Sequence, residues 1–414
     1  VTQCSTFSKH ISQNCVTFPK EIYSGYGAKV ISSGGHSYID WTWSGTGILG
    51  HAPMDVSRAV SDTMFKGCAF SLPHVLERQT ADLMCEILPE YAESVRFASN
   101  GTDVVAGAVR LARAVTGSGD IVIFLPCYHG DSADWIISGK DPARGVMRNG
   151  FLHNPLSPAT WNDVGELKDI VNRPVYPAAV IFEVREAPTP EFVEALNNLP
   201  DDVLLIADEV VTGFRLAKGG ACELYGIEPD LACFGKALGS GVPISALVGK
   251  EKYMREFDLE HTNEPVFMSY THGGNALGLA AAHKTLEIVR DTDAIEQIWD
   301  TGDKLQRAFL ESGYARSIPV KVNNQPPRFS FIFEDVNGVE GRALFTLFQQ
   351  EMCEQGVLIG PTNCPTIAHT GIPLNETVSA IEEAMEEVLD AVLRGSVKES
   401  LEGPVPEPLY SRKA

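Results

Sequence analysis

Val203-Leu-Leu-Ile-Ala-Asp208-Glu-Val-Val-Thr-Gly-Phe-Arg215, followed shortly by Pro229-Asp-Leu-Ala-Cys-Phe-Gly-Lys236-Ala-Leu-Gly-Ser-Gly-Val-Pro243, decides the fold. The first run is too short for a helix and delivers an acid at its end, which marks a buried parallel strand with a carboxylate at its carboxyl edge. The second ends in a glycine-lysine turn. In open α/β sheets ligands sit at the carboxyl edge, so Asp208 and Lys236 are expected to face one crevice from two strands.

A lysine can form a Schiff base with an aldehyde cofactor, and a buried carboxylate can keep a pyridine nitrogen protonated so that the ring takes up electrons. That pairing describes pyridoxal 5'-phosphate. On Asp208-Glu-Val-Val-Thr-Gly-Phe-Arg and Phe234-Gly-Lys-Ala-Leu-Gly the chain resembles the class III, fold type I aminotransferases, the group that includes glutamate-1-semialdehyde aminomutase. The resemblance runs from about Thr6 to near Leu393. It implies an α/β fold, with a large domain built on a mostly parallel seven-stranded sheet flanked by helices and a smaller α+β carboxy-terminal domain. It divides the chain into an amino-terminal segment packing with the small domain (1–60), a large cofactor domain (61–292), the small domain (293–394) and a loosely held tail (395–414). It also implies that Lys236 carries the cofactor and shuttles the proton, that Asp208 pairs with the ring nitrogen, and that Val210 packs on the ring face opposite Tyr128.

Composition narrows the partners. The 414 residues carry 54 acids and 33 bases, a formal charge of −21. Phosphate-backbone binding needs a basic stripe, so nucleic acid is not an expected partner. Nine cysteines have no C-x-x-C pairing and read as reduced thiols of a cytoplasmic protein. No apolar run reaches membrane-spanning length.

Along the chain, Lys29-Val-Ile-Ser-Ser-Gly-Gly-His-Ser-Tyr-Ile-Asp40 reads as a hairpin. Thr6-Phe-Ser-Lys9 and Phe70-Ser71-Leu-Pro-His74 resemble a branch of the family associated with amino-sugar or surface-polysaccharide pathways; Ser71 then lines a substrate wall or simply enters a helix. Val95-Arg-Phe-Ala-Ser-Asn100-Gly101-Thr102-Asp103 leads into a helix from Val104, and a strand, a polar-glycine turn and a helix start make an anion cradle. Asn100, Gly101 and Thr102 are thus the expected phosphate loop, with an ordinary helix cap as the bland alternative. Strand Asp120–Leu125 ends in Cys127-Tyr128-His129-Gly130, where Tyr128 can stack on a planar ring. His129 reads either as a cofactor contact or as a structural, hydrogen-bonded histidine.

Strand Ala178–Glu183 ends in another acid, which the family places beside the cofactor. Arg185 follows, with cofactor, substrate and surface salt bridge all open to it. Ser269-Tyr-Thr271-His-Gly-Gly-Asn275 opens a further helix, and the resemblance gives Thr271 to the partner subunit's cofactor phosphate, implying a homodimer.

The substrate is expected to be a small amino donor with a keto or aldehyde acceptor, of sugar or nucleotide-like type. An aminomutase, or another reaction on the same cofactor such as isomerisation or decarboxylation of an unusual amino acid, is the alternative. Ile11–Pro19 lacks the arginine that the aminomutase uses for its substrate carboxylate. Ser138–Met147 replaces its glycine-rich lid, and Leu358–Thr370 lacks its acid. A dinucleotide turn at Leu238-Gly-Ser-Gly lacks its third glycine. A catalytically silent binder would have no use for Lys236.

Overall fold

Apolar runs of four to six residues alternate with amphipathic stretches through the middle of the chain, and they become strands and helices respectively. The computed structural model describes residues 5–6, 9–42, 46–89, 91–132, 135–138 and 156–406. Its strands, in chain order, are β1 (Ile22–Tyr26), β2 (Lys29–Ser32), β3 (Ser37–Asp40), β4 (Ser94–Ala98), β5 (Ile121–Phe124), β6 (Tyr128–Ser132), β7 (Trp135–Ser138), β8 (Leu156–Ala159), β9 (Ala179–Phe182), β10 (Leu204–Glu209), β11 (Leu231–Phe234), β12 (Ser245–Gly249), β13 (Val320–Asn323), β14 (Ser330–Phe333) and β15 (Val357–Leu358). The chain divides into two compact units, Val1–Pro53 with Asp293–Ala414, and Met54–Thr292.

The middle unit is built on a seven-stranded sheet in the order β4-β12-β11-β10-β9-β5-β8. β8, β5, β9, β10 and β11 are parallel, and β12 runs against both of its neighbours. β4 therefore runs with β11, and its carboxyl end joins the same edge as theirs. The central strands are buried on both faces, as a parallel sheet covered by helices requires. Helix Gly101–Thr116 packs Val104, Val105, Ala108 and Leu111 into that core. It starts one turn before the expected Val104, because Asn100 caps it by accepting the Asp103 N–H, and it stops at Gly117 in the left-handed region. The unit begins at Met54 rather than at residue 61, since helix Met54–Lys66 packs on helix Ala276–Asp291 of the same unit.

The other unit joins both ends of the chain. β1, β2 and β3 form an antiparallel sheet whose fourth strand is β15, with Ile39 beside Val357 and Asp40 beside Leu358. The β13–β14 hairpin and helices Ala294–Ala315, Gly341–Glu354 and Ile372–Arg394 enclose a core in which Phe309 stacks on Phe331 at 4.0 Å. The tail differs from expectation as far as it is described. Val397 is buried, and Gln350 bonds both the Ser400 carbonyl and the Glu402 N–H, so the chain is held through Glu402. Phe7 and Ser8 of the opening motif, residues 139–147 of the expected lid segment and Pro408 lie outside the described residues.

A buried polar cluster ties the two ends together. Asp40 accepts from Thr42 and bonds His51 at 3.1 Å, while its carbonyl takes the His369 Nε2–H at 3.0 Å. His369 Nδ1 accepts the Thr366 N–H, so the neutral ring carries its proton on Nε2. Burial pushes the His369 pKa down from 6.5 to about 4. The unfolded chain therefore takes up a proton that the fold refuses as pH falls from about 6.5 to 4, and stability drops through that window by about 3 kcal/mol before levelling off. Denaturant titrations at stepped pH should show this slope in the wild type and its loss in His369→Asn.

Candidate functional site

The strand register brings the expected residues to one edge. Asp208 lies beside Cys233, so Lys236 lies just beyond the end of the strand next to it. Ala207 lies beside Phe182, which sets Glu183 level with Asp208 on the other side. β4 delivers Asn100, Gly101 and Thr102 to the same edge, and the chain leaving β5 delivers Tyr128 and His129.

Asp208 is almost wholly buried, which for a carboxylate is costly unless it is bonded. His129 Nδ1 meets its Oδ2 at 2.8 Å, and its Oδ1 accepts the Val210 N–H at 3.1 Å. Burial disfavours a charged His129, but the hydrogen bonds to Asp208 and Cys127 and the negative charge of Asp208 outweigh it and raise the pKa from 6.5 to about 10. His129 is thus cationic at neutral pH and holds Asp208 in place. His129 is therefore a buried, hydrogen-bonded histidine behind the Asp208 carboxylate.

The two turns meet across Val210. A Cβ on Gly101 would stand 3.0 Å from the Val210 methyls, and one on Gly235 would stand 3.3 Å from the same side chain. Ser245 donates to the Asn100 carbonyl at 2.7 Å, drawing the helix start and the lysine turn together. Lys236 opens a single 3-10 turn with φ +41°, a conformation costing a non-glycine residue about 1–3 kcal/mol and concentrated at functional sites. Thr102 Oγ1 accepts the Asp131 N–H, fastening β6 to the same helix start.

Glu183 Oε1 accepts the Tyr128 N–H at 2.8 Å and pairs with Arg185. Tyr128 is half exposed at this edge. Thr271 is also exposed, and its neighbours lie against the helix start: Tyr270 Oη donates to the Asp103 carbonyl, and Ser99 Oγ to the His272 carbonyl. Ser71 lies exposed between helices Met54–Lys66 and Val75–Ile87, and no hydrogen bond among the described residues joins it to this cluster.

Glu209 is the residue that motif reading passes over. It points away from Asp208 and accepts from Ala221 N, Cys222 N and the Thr212 hydroxyl. A Cβ on Gly220 would lie 2.0 Å from its carboxylate, so the Gly219-Gly220 pair leaves room for it. Its signal in the sequence is an acid followed at close range by two glycines.

These residues fit pyridoxal phosphate by their chemistry. A buried acid suits a protonated ring nitrogen, a lysine suits the aldehyde, and a helix start without a side chain at Gly101 suits a phosphate. Similarity to known proteins points the same way. The sequence profile described as aminotransferase class-III matches residues 178–392. The chain is 33% identical over 402 residues to glutamate-1-semialdehyde 2,1-aminomutase from Aquifex aeolicus (strain VF5), covering 89% of this chain and 93% of that protein. It is 31% identical over 407 residues to the aminomutase of the same name from Roseiflexus castenholzii (strain DSM 13941 / HLO8), covering 91% and 92%. Among solved structures, the FumI protein of Sphingopyxis sp. MTA144 shares the fold with a TM-score of 0.83 at 24% identity, over 93% of this chain and 92% of that one.

The raised His129 pKa carries a pH dependence. The stabilisation from its pairing is fully present below about pH 6.5 and is lost as pH climbs through about 10. Cofactor-free His129→Leu should be destabilised by about 3 kcal/mol at pH 7, because it strands the Asp208 carboxylate, and the gap to wild type should narrow toward pH 10. Urea unfolding across that range measures both.

Proposed function

The chain belongs to the class III aminotransferases, and from that premise we propose that it transfers an amino group from a small amino donor to a keto or aldehyde acceptor, with Lys236 as the reacting amine. The observation that carries this is the placing of Lys236 and Asp208 at the ends of adjacent parallel strands. Pyridoxal 5'-phosphate, when bound, supplies an aldehyde that captures amines and a ring that absorbs electrons from the reacting carbon. Lys236 would hold it by the aldehyde and Asp208 by the ring nitrogen. Asn100, Gly101 and Thr102 would hold its phosphate, and Tyr128 and Val210 would flank its ring.

Each of these groups has a task in the transfer. Lys236, as a free amine, would take a proton from the substrate carbon and return it elsewhere. Asp208, fixed by its hydrogen bond with His129, would favour a protonated ring nitrogen. Glu183 positions Tyr128 through its backbone N–H. Thr271, exposed beside the helix start, would complete the phosphate site of a second copy in a homodimer. The free thiols of the described cysteines support a cytoplasmic setting.

An intramolecular amino shift is the second reading, favoured by the names of the relatives at 33% and 31% identity. An amino donor supplied alone separates the two. A transaminase converts it stoichiometrically to a keto acid and keeps the amino group on the cofactor, whereas an aminomutase releases an isomer.

Lys236→Ala should lose turnover by at least about 100-fold, the usual scale for removing a proton-transfer group. It should also release the cofactor on ultrafiltration where the wild type retains it. Retained turnover would remove Lys236 from the reaction.

A further inference from the structure

Arg185 stands two residues past the end of β9, beside the acid that is level with Asp208. Its Nε meets Glu183 Oε1 at 2.7 Å and its Nη2 meets the same oxygen at 2.5 Å. That oxygen also takes the Tyr128 N–H. A guanidinium has five N–H donors arranged on separate edges. The Nε/Nη2 edge is occupied by Glu183, and the Nη1/Nη2 edge has no partner among the described residues.

The Arg185 side chain is 40% exposed while the Glu183 side chain is only 10% exposed, so the anchored half of the pair is inside and the open half faces out. A surface salt bridge formed for stability alone contributes little. This one instead holds a rigid, permanently charged fork at the strand ends where the reaction is placed.

We propose that the open Nη1/Nη2 edge of Arg185, held by Glu183, grips an oxyanion of the substrate, a carboxylate or a phosphate, at the end away from the reacting nitrogen. Two parallel N–H donors match two oxygens of either group. The substrate class is thereby narrowed to amines and carbonyl compounds that carry an acid group. This rests on the transaminase reading above, and it adds a specificity-determining residue to it.

The test uses the cofactor-loaded wild type with Arg185→Gln and Arg185→Lys, and titrates each with glutarate and with glycerol 3-phosphate by calorimetry. At least one probe should bind the wild type and lose about 10- to 100-fold in affinity in Arg185→Gln. Arg185→Lys, which keeps the charge but not the fork, should fall between and stands in if the glutamine variant fails to fold. The preferred probe distinguishes carboxylate from phosphate. Cofactor absorbance should be the same in all three proteins. Equal affinities in wild type and variants, or no binding of either probe to the wild type, overturn the proposal. Loss of cofactor in step with loss of the probe also overturns it, since Arg185 would then act only through Glu183 and Tyr128. A wild type that takes up no cofactor overturns the transaminase reading and this proposal with it.

Discussion

A carboxylate and an imidazole pressed together at 2.8 Å, both out of contact with water, hold the functional edge of the sheet together. Asp208 ends β10, and His129 belongs to β6, which is outside the main sheet. Either group buried alone would be expensive. Together they fix where β6 crosses the strand ends, and the position of β6 decides where Tyr128 stands. Glu183 repeats the arrangement one strand away, bonding the same stretch through the Tyr128 N–H. The residue after Asp208 shows how a strand divides its labour: Glu209 points to the opposite face and caps a short helix start there, while Asp208 serves the crevice.

Close approach does the rest. Val210 lies against two turns that have no side chain to give it, one leading into the long helix and one carrying Lys236. The lysine accepts a backbone conformation that favours glycine, and the buried Ala237, Leu238 and Gly239 behind it pack the turn in place. Among the described residues, the candidate site is assembled from the ends of β4, β9, β10 and β11 together with β6.

Much of this was legible in the residues. Val203–Asp208 and Leu231–Phe234 read as short buried strands, and Asn100-Gly101-Thr102 announced a helix start. The fold followed from those together with the resemblance. Illegible were the pairings made across distance. Nothing local joins His129 to an acid 79 positions on, inserts β12 antiparallel between β11 and β4, or tells that Gln350 will hold the tail. Periodicity reports which face of an element is buried and says nothing of what it is buried against. The boundary near residue 60 was misplaced because Met54–Lys66 looks much like any amphipathic helix.

β3 completes its sheet with β15, and the Asp40 carbonyl meets a histidine 329 positions away. A ribosome makes the two halves of that unit with the whole middle unit between them. The continuous middle unit has all its strands available once Thr292 has emerged, whereas β1 to β3 must wait, edge exposed, until Val357 and Leu358 arrive to pair with them. The nascent chain therefore carries an unfinished sheet from the emergence of β3 until that of β15, and the interval is where a chaperone has most to protect.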